Sequence, residues 1–395
     1  MIGNTFLEKK VLPMNWQNTE AETEKLKFIG DWLKNEFDFS DLCRRYGISR
    51  KTGYKLINRY KEEGERALRP RSHAPHHHPN ATSYEKKEYL IALKHRYPKW
   101  GPEKLRDWLL LNKSNENWPA ASTIGDILKK HDLVKSRKYR KRVVPHTNPF
   151  AECNAPNHIW SADFKGQFRV GEPYCYPLTI SDNYSRYLLT CEGLLGPRLK
   201  ETMIGFKKAF IAYGLPNVIR TDNGQPFAGM GIGALTSLSI WWIKLGIMPE
   251  RIEPGHPEQN GRHERMHRTL KEAVASPPKT NFVDQQRSFD KFRHEYNHER
   301  PHQSLGGKRP ADIYKSSQRT YFDNVPEITY PADFEIRKIR SNGEIQWFSK
   351  KYYVSELLYG EPIGLKMIDD RRAILHFSKL KLGLIDARED KINRP

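Results

Sequence analysis

The sequence contains no run of about 18 apolar residues, the length that a helix needs to cross a bilayer, so we do not expect a membrane protein. Its N-terminus lacks the cationic start and apolar run of a secretory signal. Cysteine is scarce: the 395 residues include only Cys43, Cys153, Cys175 and Cys191. None of these forms a C-x-x-C pair, and no histidines are grouped with them, so we expect no zinc site and no disulfide framework. A cytoplasmic protein fits this pattern.

Acidic residues are also in deficit. The 67 Lys and Arg outnumber the 47 Asp and Glu, which gives a formal net charge of +20 and a pI of about 9.6. Such an excess indicates a polyanionic partner, most often nucleic acid. A cationic protein of the membrane surface is the competing interpretation, and no apolar segment supports it. The length allows roughly two to four domains.

Residues 1–68 are predicted to hold a helix-turn-helix domain, with its last two helices in FSDLCRRYGISRKTGYKLINRY. Ser40 and Ser49 are predicted to cap these helices, with a turn around Gly47. The second helix would direct basic and aromatic side chains outward, namely Arg50, Lys51, Tyr54 and Lys55. In a helix-turn-helix this helix enters the DNA major groove. The alternative is an ordinary helical hairpin with a glycine turn.

Residues 69–82 read as a proline-rich linker, and residues 83–134 as a second helical unit that resembles a winged-helix DNA-binding domain. Its helices are predicted to start at Pro102 and to be capped at Ser122. Residues 135–156 form a basic connector that contains KSRKYRKR. Four of its side chains are predicted to contact DNA phosphates: Lys138, Arg140, Lys141 and Arg142. The alternative is a solvated charged linker.

From residue 157 to 315, short β-rich runs alternate with helical patterns, which predicts an α/β domain. Asp163 interrupts a predicted strand, where aspartate is disfavoured and where a buried carboxylate needs a partner or a metal. Asp222 follows the short strand NVIRT. By itself it is more typical of a turn, yet strand-end carboxylates are where α/β sheets place their sites.

The stretch GHPEQNGRHERMHRTLK predicts a loop followed by an amphipathic helix. Met266, Leu270 and Ala273 are expected to form its apolar side. The opposite side would carry one carboxylate among cationic or near-cationic groups: Glu264, His267, Arg268 and Lys271. Such a face suits a site where metal and phosphates meet; the alternative is an exposed surface with a Glu264–Arg268 ion pair. Two acids from adjacent strands and one from a helix can hold two Mg²⁺ ions.

Residues 322–395 become strand-like again, with runs at short spacing that predict a small β-barrel. A hairpin is expected around Asn342 and Gly343.

Four motifs carry a resemblance: WSADFKG, TDNG, HPEQNGRHERMHRTLK and YNHERPHQSLGGKRPADIY. Over about residues 20–315 the chain resembles the DDE transposases of bacterial insertion sequences, which have a retroviral-integrase-like catalytic core. The resemblance implies a multidomain α/β protein with N-terminal helix-turn-helix units, a ribonuclease-H-like core and the C-terminal β-barrel. It also implies that Asp163, Asp222 and Glu264 are catalytic and bind two Mg²⁺ ions, for which Mn²⁺ can substitute.

One departure concerns the glutamate. Many relatives place 35 residues between the second aspartate and this glutamate; here Glu258 meets that count, whereas 41 residues separate Asp222 from Glu264. We choose Glu264 because Glu258 lies beside Pro257 in the loop. Glu264 also shares a helical face with the basic residues and precedes the matching RTLK. The GMGIGAL segment after Phe227 can absorb the six extra residues.

The expected function is that of a transposase, which binds the terminal inverted repeats of its element, hydrolyses their 3′ ends and joins them to target DNA. Since two ends must be processed, self-association to at least a dimer on paired ends is expected. The alternative is a catalytically inactive DNA-binding regulator derived from a transposase. A plain ribonuclease H is disfavoured, because it would not need two helical DNA-binding units.

Overall fold

The computed structural model describes residues 20–70, 81–134, 152–229, 231–253, 259, 261–389 and 391–393. The chain divides into two compact units, residues 1–81 and 82–395. No helix within the described ranges is long and apolar enough to cross a membrane. Three predictions fall wholly or mainly outside these ranges: the linker, of which residues 71–80 are not described, the basic connector, of which residues 135–151 with Lys138, Arg140, Lys141 and Arg142 are not described, and the competing Glu258.

The first unit contains a helix-turn-helix. Its helices are α1 (Glu20–Lys34), α2 (Phe39–Arg45) and α3 (Arg50–Glu63), followed by a 3₁₀ turn at Gly64–Leu68. Gly53 lets α3 approach α2 closely, because an added Cβ would lie 2.7 Å from the Sγ atom of Cys43. Gly47 occupies the turn with a φ of +62°, a conformation that glycine adopts without strain.

The caps of α2 and α3 differ from the prediction at one of two positions. Ser49 caps α3 as expected, since its hydroxyl accepts a hydrogen bond from the Thr52 N–H. The cap of α2 is Asp38, whose carboxylate accepts from the Ser40 N–H. Ser40 was therefore wrongly assigned as the cap and lies in the first turn. Asp is as good a cap as Ser, so the two neighbouring positions were not distinguishable by residue type.

The second unit begins with three helices: α4 (Tyr84–Arg96), α5 (Pro102–Asn112) and α6 (Ala121–Lys130). They enclose a small core that includes Leu90, Trp100 and Leu105. Helix α5 starts at Pro102 as predicted. Helix α6 starts at Ala121, and Ala120 occupies the N-cap position without a side-chain hydrogen bond, so the prediction of Ser122 as the cap was wrong. Residues 82–134, all described, contain no strand, so no wing accompanies these helices.

The α/β domain is built on a mixed sheet. Its strands are β1 (Ile159–Phe164), β2 (Phe168–Arg169), β3 (Tyr174–Asp182), β4 (Leu188–Leu194), β5 (Val218–Thr221) and β6 (Met248–Arg251). The order is β4-β3-β1-β5-β6, with the short β2 also paired to β3. Strands β1, β3 and β4 are antiparallel neighbours, whereas β1, β5 and β6 run parallel. Strand β6 was not predicted as a strand.

Helices cover both faces of this sheet. They are α7 (Leu199–Tyr213), α8 (Ser237–Lys244), α9 (Gly261–Val274), α10 (Phe282–His294), which continues into a π-helical turn at Glu295–Glu299, and α11 (Pro310–Ile313). Helices α7 and α8 bury Phe206 and Trp242 against one face of the sheet. Helices α9 and α10 bury Met266 and Phe289 in a separate core with Leu188. This layered arrangement agrees with the predicted α/β domain. Helix α9 is held against the sheet by the core that its Met266 shares with Leu188.

The C-terminal region does not form the predicted barrel. Its strands are β7 (Phe334–Lys338), β8 (Glu344–Trp347), β9 (Lys350–Tyr353), β10 (Pro362–Asp369), β11 (Arg372–Phe377), β12 (Leu380–Asp386) and β13 (Ile392–Asn393). Within the described residues they make an open five-stranded sheet, β13-β12-β11-β10-β7, and a separate β8-β9 pair. Asn342 and Gly343 do form a turn, closed by the Gly343 N–H to Arg340 C=O bond of 2.9 Å. The flanking strands, however, pair with β10 and β9 rather than with each other.

The segment after Phe227 packs against this C-terminal sheet. Its 3₁₀ turn, Ile232–Ala234, buries Ile232 in the same apolar core as the C-terminal strands. At Gly233 the φ is +63°, and an added Cβ would lie 3.1 Å from the side chain of Leu382. The Lys244–Glu361 ion pair, at 2.7 Å, reinforces the contact. The residues that lengthen the spacing between Asp222 and α9 thus join the α/β domain to the C-terminal sheet.

Candidate active site

Asp163 and Asp222 lie at the ends of neighbouring parallel strands. In the β1–β5 pair, Ser161 lies opposite Arg220, and continuing that register by two residues brings Asp163 opposite Asp222. Residues in register share a face of a sheet, and adjacent strands lie about 4.8 Å apart. The Asp222 carboxylate also accepts a 3.1 Å hydrogen bond from the Gly224 N–H, which orients it in its turn. The strand order therefore brings the two predicted aspartates together.

Glu264 completes an acidic site, a term we use for Asp163, Asp222 and Glu264. The pKa of Asp163 is raised to about 7, first by burial and then by the negative charges of Asp222 and Glu264. The backbone N–H of Phe164 and the Lys165 cation oppose this rise without cancelling it. All three predicted acids therefore contribute to one region of negative potential.

Helix α9 differs from the prediction at two positions, His267 and Ala273. Its buried residues are His263, Met266, His267 and Leu270. Glu264, Arg268 and Lys271 are exposed, as expected, but Ala273 is exposed and His267 is buried. The assignment of His267 to the outward, DNA-facing side was therefore wrong. A neutral imidazole can replace an apolar group on a buried face when hydrogen-bond partners are available.

Those partners are the hydroxyls of strand β3. The Thr179 hydroxyl donates to the backbone carbonyl of Asp163 over 3.0 Å, and its oxygen lies 2.7 Å from Nε2 of both His263 and His267. A hydroxyl has one hydrogen, and it is already donated, so Thr179 must accept from both rings. Both histidines consequently carry their proton on Nε2. The Ser181 hydroxyl, 3.1 Å from Nδ1 of His263, then donates to that nitrogen. We call these four residues the histidine–threonine network.

Both rings of this network are neutral. Burial lowers the pKa of His263 to about 3 and that of His267 to about 2; protonation of His267 is also opposed by electrostatic interaction with His263 and with the Lys165 cation. Nδ1 of His267 lies 3.7 Å from Oδ2 of Asp163. Because the ring is uncharged and Nδ1 carries no proton, this approach is not an ion pair. The nitrogen lone pair is instead directed toward the carboxylate.

Two sets of side chains are candidates for holding a metal. Ligand atoms of Asp163, His263 and His267 all lie within 4.8 Å of one another. His263, however, already uses both ring nitrogens in hydrogen bonds, so it cannot ligate without breaking the network. The three carboxylates of the acidic site lie close enough to raise the pKa of Asp163, and they are the oxygen ligands that hard divalent cations prefer. They fit such an ion better.

The sequence analysis missed this grouping of histidines around Asp163. The signal was present, because His263 and His267 are four residues apart and so share one face of a helix. Spacing of this kind is a familiar metal-ligand pattern, and we had expected no suitably grouped histidines.

The predicted DNA-reading residues are where the sequence analysis expected them. Arg50, Lys51, Tyr54 and Lys55 are all exposed on α3. The ring of Tyr54 packs on Phe39 with a centroid distance of 4.1 Å, which orients it on the helix surface. Their contact with DNA stays a prediction.

Comparison with known proteins agrees with these domains. Residues 154–257 and 245–310 each match a family model described as an integrase core domain. Residues 24–76 match a helix-turn-helix domain, and residues 52–128 match a homeodomain-like domain. Over 191 residues the chain is 24% identical to the insertion element IS407 uncharacterized 31.7 kDa protein of Burkholderia multivorans. That match covers 47% of this chain and 66% of the relative, just under two thirds of its length.

Two solved structures are also similar. The HTLV-2 integrase catalytic core domain in complex with magnesium is 19% identical; the match covers 41% of this chain and 98% of that one, with a TM-score of 0.33. A simian T-cell lymphotropic virus intasome in complex with PP2A regulatory subunit B56 gamma is 17% identical, with 75% and 96% covered and a TM-score of 0.37. Such scores are too low to carry an argument. The domain matches nevertheless confirm the predicted resemblance to insertion-sequence transposases with an integrase-like core.

Proposed function

We propose that this protein is a DNA transposase, which binds the terminal inverted repeats of an insertion sequence, hydrolyses their 3′ ends and joins them to target DNA. The observation that carries the proposal is the convergence of Asp163, Asp222 and Glu264 on one site. Burial and the charges of Asp222 and Glu264 raise the pKa of Asp163, which means that three ionised carboxylates repel one another here. A bound cation would relieve that repulsion. The integrase core and helix-turn-helix matches support the same class of enzyme.

Asp163, Asp222 and Glu264 would hold the metal, which we expect to be two Mg²⁺ ions with Mn²⁺ as a substitute. When bound, divalent ions neutralise the charge that develops in phosphoryl transfer and activate the attacking oxygen.

The chain's own basic residues would place the DNA. Arg268 and Lys271 are exposed on the helix that carries Glu264, so they would contact phosphates beside the acidic site. His267 is withdrawn from such contacts by its burial. On the first unit, Arg50, Lys51, Tyr54 and Lys55 would read base edges, since the exposed second helix of this motif enters the major groove.

Two DNA ends require two active sites, so we propose at least a dimer on paired ends. Glu264 of one subunit would then act on the end held by Arg50 and Lys51 of another, because linked modules can engage different sites. Mixing a helix-turn-helix variant with Glu264→Gln should restore part of the activity that neither variant has alone. An enzyme of this kind would act in the bacterial cytoplasm.

The test is strand transfer with Mg²⁺, using labelled duplexes taken from the DNA that flanks the gene. Asp163→Asn, Asp222→Asn and Glu264→Gln should each abolish strand transfer while leaving duplex binding intact. Glu258→Gln is the matched control and should stay active within a few-fold. A dead Glu258→Gln beside an active Glu264→Gln would show that the glutamate was wrongly chosen. Wild-type protein that binds these duplexes but never cuts them would support the regulator instead.

A further inference from the structure

A polar cleft, separate from the acidic site, lies beside the turn between β3 and β4. It has a volume of about 290 Å³, and its lining includes Asn183, Tyr184, Arg186, Arg262 and Ser304. Arg262 lies on α9, two residues before Glu264. The cleft therefore shares its helix with the acidic site but contains none of the three carboxylates. Its distinguishing feature is two arginines in one concave space.

The Arg186 guanidinium donates a hydrogen bond to the backbone carbonyl of Asn183. Among the described residues, no ion pair joins a carboxylate to Arg186 or to Arg262. Burial first, and then the positive charge of Arg262, lower the pKa of Arg186 to about 10. The buried Asp182 also acts on Arg186, but its oxygens are engaged by N–H groups of Asn157 and Ser185 and by the Ser185 hydroxyl.

The local backbone holds Arg186 in this position. Its φ is +65°, a left-handed conformation that is uncommon for residues other than glycine. The Arg186 N–H donates to the Asp182 carbonyl over 2.9 Å, and the Asp182 carboxylate accepts from the Ser185 N–H within the turn and from the Asn157 N–H outside it. Strain of this kind persists when the surrounding contacts over-determine the turn, and it is concentrated at functional sites.

We propose that this arginine cleft binds a phosphate group of the DNA backbone next to the strand end that the acidic site processes. Guanidinium groups match phosphate with paired N–H donors, and two of them beside each other are stabilised when an anion lies between. The exposed Tyr184 and the Ser304 hydroxyl supply further donors at the rim. The DNA assignment rests on the proposed function, whereas binding of phosphate as such does not.

The test measures DNA binding by the full-length chain without divalent metal. The affinity for a fluorescent random-sequence duplex is followed as salt rises, and the slope of log K against log salt counts phosphate contacts. Arg262→Gln and Arg186→Gln should each lower the magnitude of that slope by about 0.9. Arg287→Gln is the control, because this exposed arginine is already paired with Asp284 at 2.9 Å; its slope should equal that of the wild type.

A second arm separates DNA phosphate from free phosphate. Inorganic phosphate should raise the melting temperature of the wild type above that in chloride at equal ionic strength, and it should not do so for Arg262→Gln. Since Arg262 is exposed, this variant carries the test even if Arg186→Gln fails to fold. An unchanged salt slope in folded Arg262→Gln overturns the proposal; if phosphate still stabilises the wild type, the cleft binds free phosphate instead. Loss of strand transfer in the carboxylate variants alters neither readout, so the two proposals fail separately.

Discussion

Nδ1 of His267 lies 3.7 Å from Oδ2 of Asp163, and the hydrogen bonds of the histidine–threonine network leave that nitrogen without a proton. Two lone pairs therefore face each other in a partly buried site. This arrangement favours a positive charge between them. Burial of Asp163, and then the negative charges of Asp222 and Glu264, raise the pKa of this carboxyl to about 7.

Metal binding at the acidic site should depend steeply on pH. A cation must displace the Asp163 proton, so below about pH 7 the apparent affinity should fall roughly tenfold per pH unit. Mn²⁺ titrations followed by electron paramagnetic resonance between pH 5.5 and 8 would measure this. Asp163→Asn should bind weakly at every pH. Equal wild-type affinities at pH 5.5 and 7.5 would contradict the assignment of Asp163 as a ligand with a raised pKa.

The same carboxylate should cost stability when no metal is present. Its folded pKa of about 7 lies above the ordinary value of 3.8, so the ionised form is disfavoured in the folded state. Protonated Asp163 therefore contributes fully to the free energy of unfolding below about pH 3.8. This contribution decreases as the pH rises from 3.8 and is lost as the pH passes 7. Asp163→Asn should therefore raise the free energy of unfolding by a few kcal/mol at pH 8 in EDTA.

Urea unfolding at pH 8 and pH 5 provides the comparison. The gain from Asp163→Asn should fall by more than half at pH 5, where the carboxyl is protonated in the folded wild type but ionised in the unfolded chain. Excess Mn²⁺ at pH 8 should stabilise the wild type but not the variant. An Asp163→Asn protein less stable than the wild type at pH 8 would show that the carboxylate is already compensated without metal.

These consequences depend on the part of the site that sequence patterns did not reveal. The motifs that carry the resemblance assigned Asp163, Asp222 and Glu264 as the site, and periodicity predicted that they lie in or after strands and on a helix face. His263 lies three residues before Met266 and so shares its helical face, but imidazole counts as polar in such patterns, and the sequence analysis did not single out His263. Only the strand register, with Thr179 opposite Asp163, supplies the hydroxyl that makes burial of two histidines favourable.

The C-terminal sheet illustrates a second limit. Alternating runs predicted strands there, but alternation does not specify pairing partners. Strand β7 pairs with β10 across an intervening β8–β9 ribbon, so the turn at Gly343 links two sheets rather than one hairpin. The sequence analysis also did not predict that Ile232 packs in the core of the C-terminal strands, because the GMGIGAL segment was interpreted only as the place of the six extra residues.

Thr179 should be the most sensitive member of the histidine–threonine network. Thr179→Val keeps the shape of the side chain but removes the acceptor for two buried N–H groups, each costing about 1–3 kcal/mol when left unsatisfied. We expect a total loss of about 2–6 kcal/mol in the free energy of unfolding. Thr179→Ser retains the hydroxyl and should cost much less. Equal destabilisation by both substitutions, measured by urea unfolding at pH 8, would argue that packing of the methyl group matters rather than the hydrogen bonds.

The helix-turn-helix offers a matched pair of glycines. An added Cβ at Gly53 would lie 2.7 Å from Sγ of Cys43 and 2.9 Å from the ring of Phe39, whereas one at Gly30, on α1, meets nothing within 4 Å. Gly53→Ala should therefore force α2 and α3 apart and destabilise this unit by about 1–3 kcal/mol. Gly30→Ala should stabilise it by about 0.5–1 kcal/mol, because alanine loses less backbone freedom in a helix.

Hydrogen exchange of peptides from residues 39–63 of the full-length chain would report both effects locally. Protection should fall in Gly53→Ala and rise slightly in Gly30→Ala. Adding Cys43→Ala to Gly53→Ala removes the sulfur that the new methyl group meets, so it should recover part of the lost protection, although Phe39 would still be crowded. Since α3 also carries Arg50 and Lys51, Gly53→Ala should weaken duplex binding in parallel with the loss of protection. Undiminished protection and duplex binding in Gly53→Ala would mean that α3 does not need this close approach to α2.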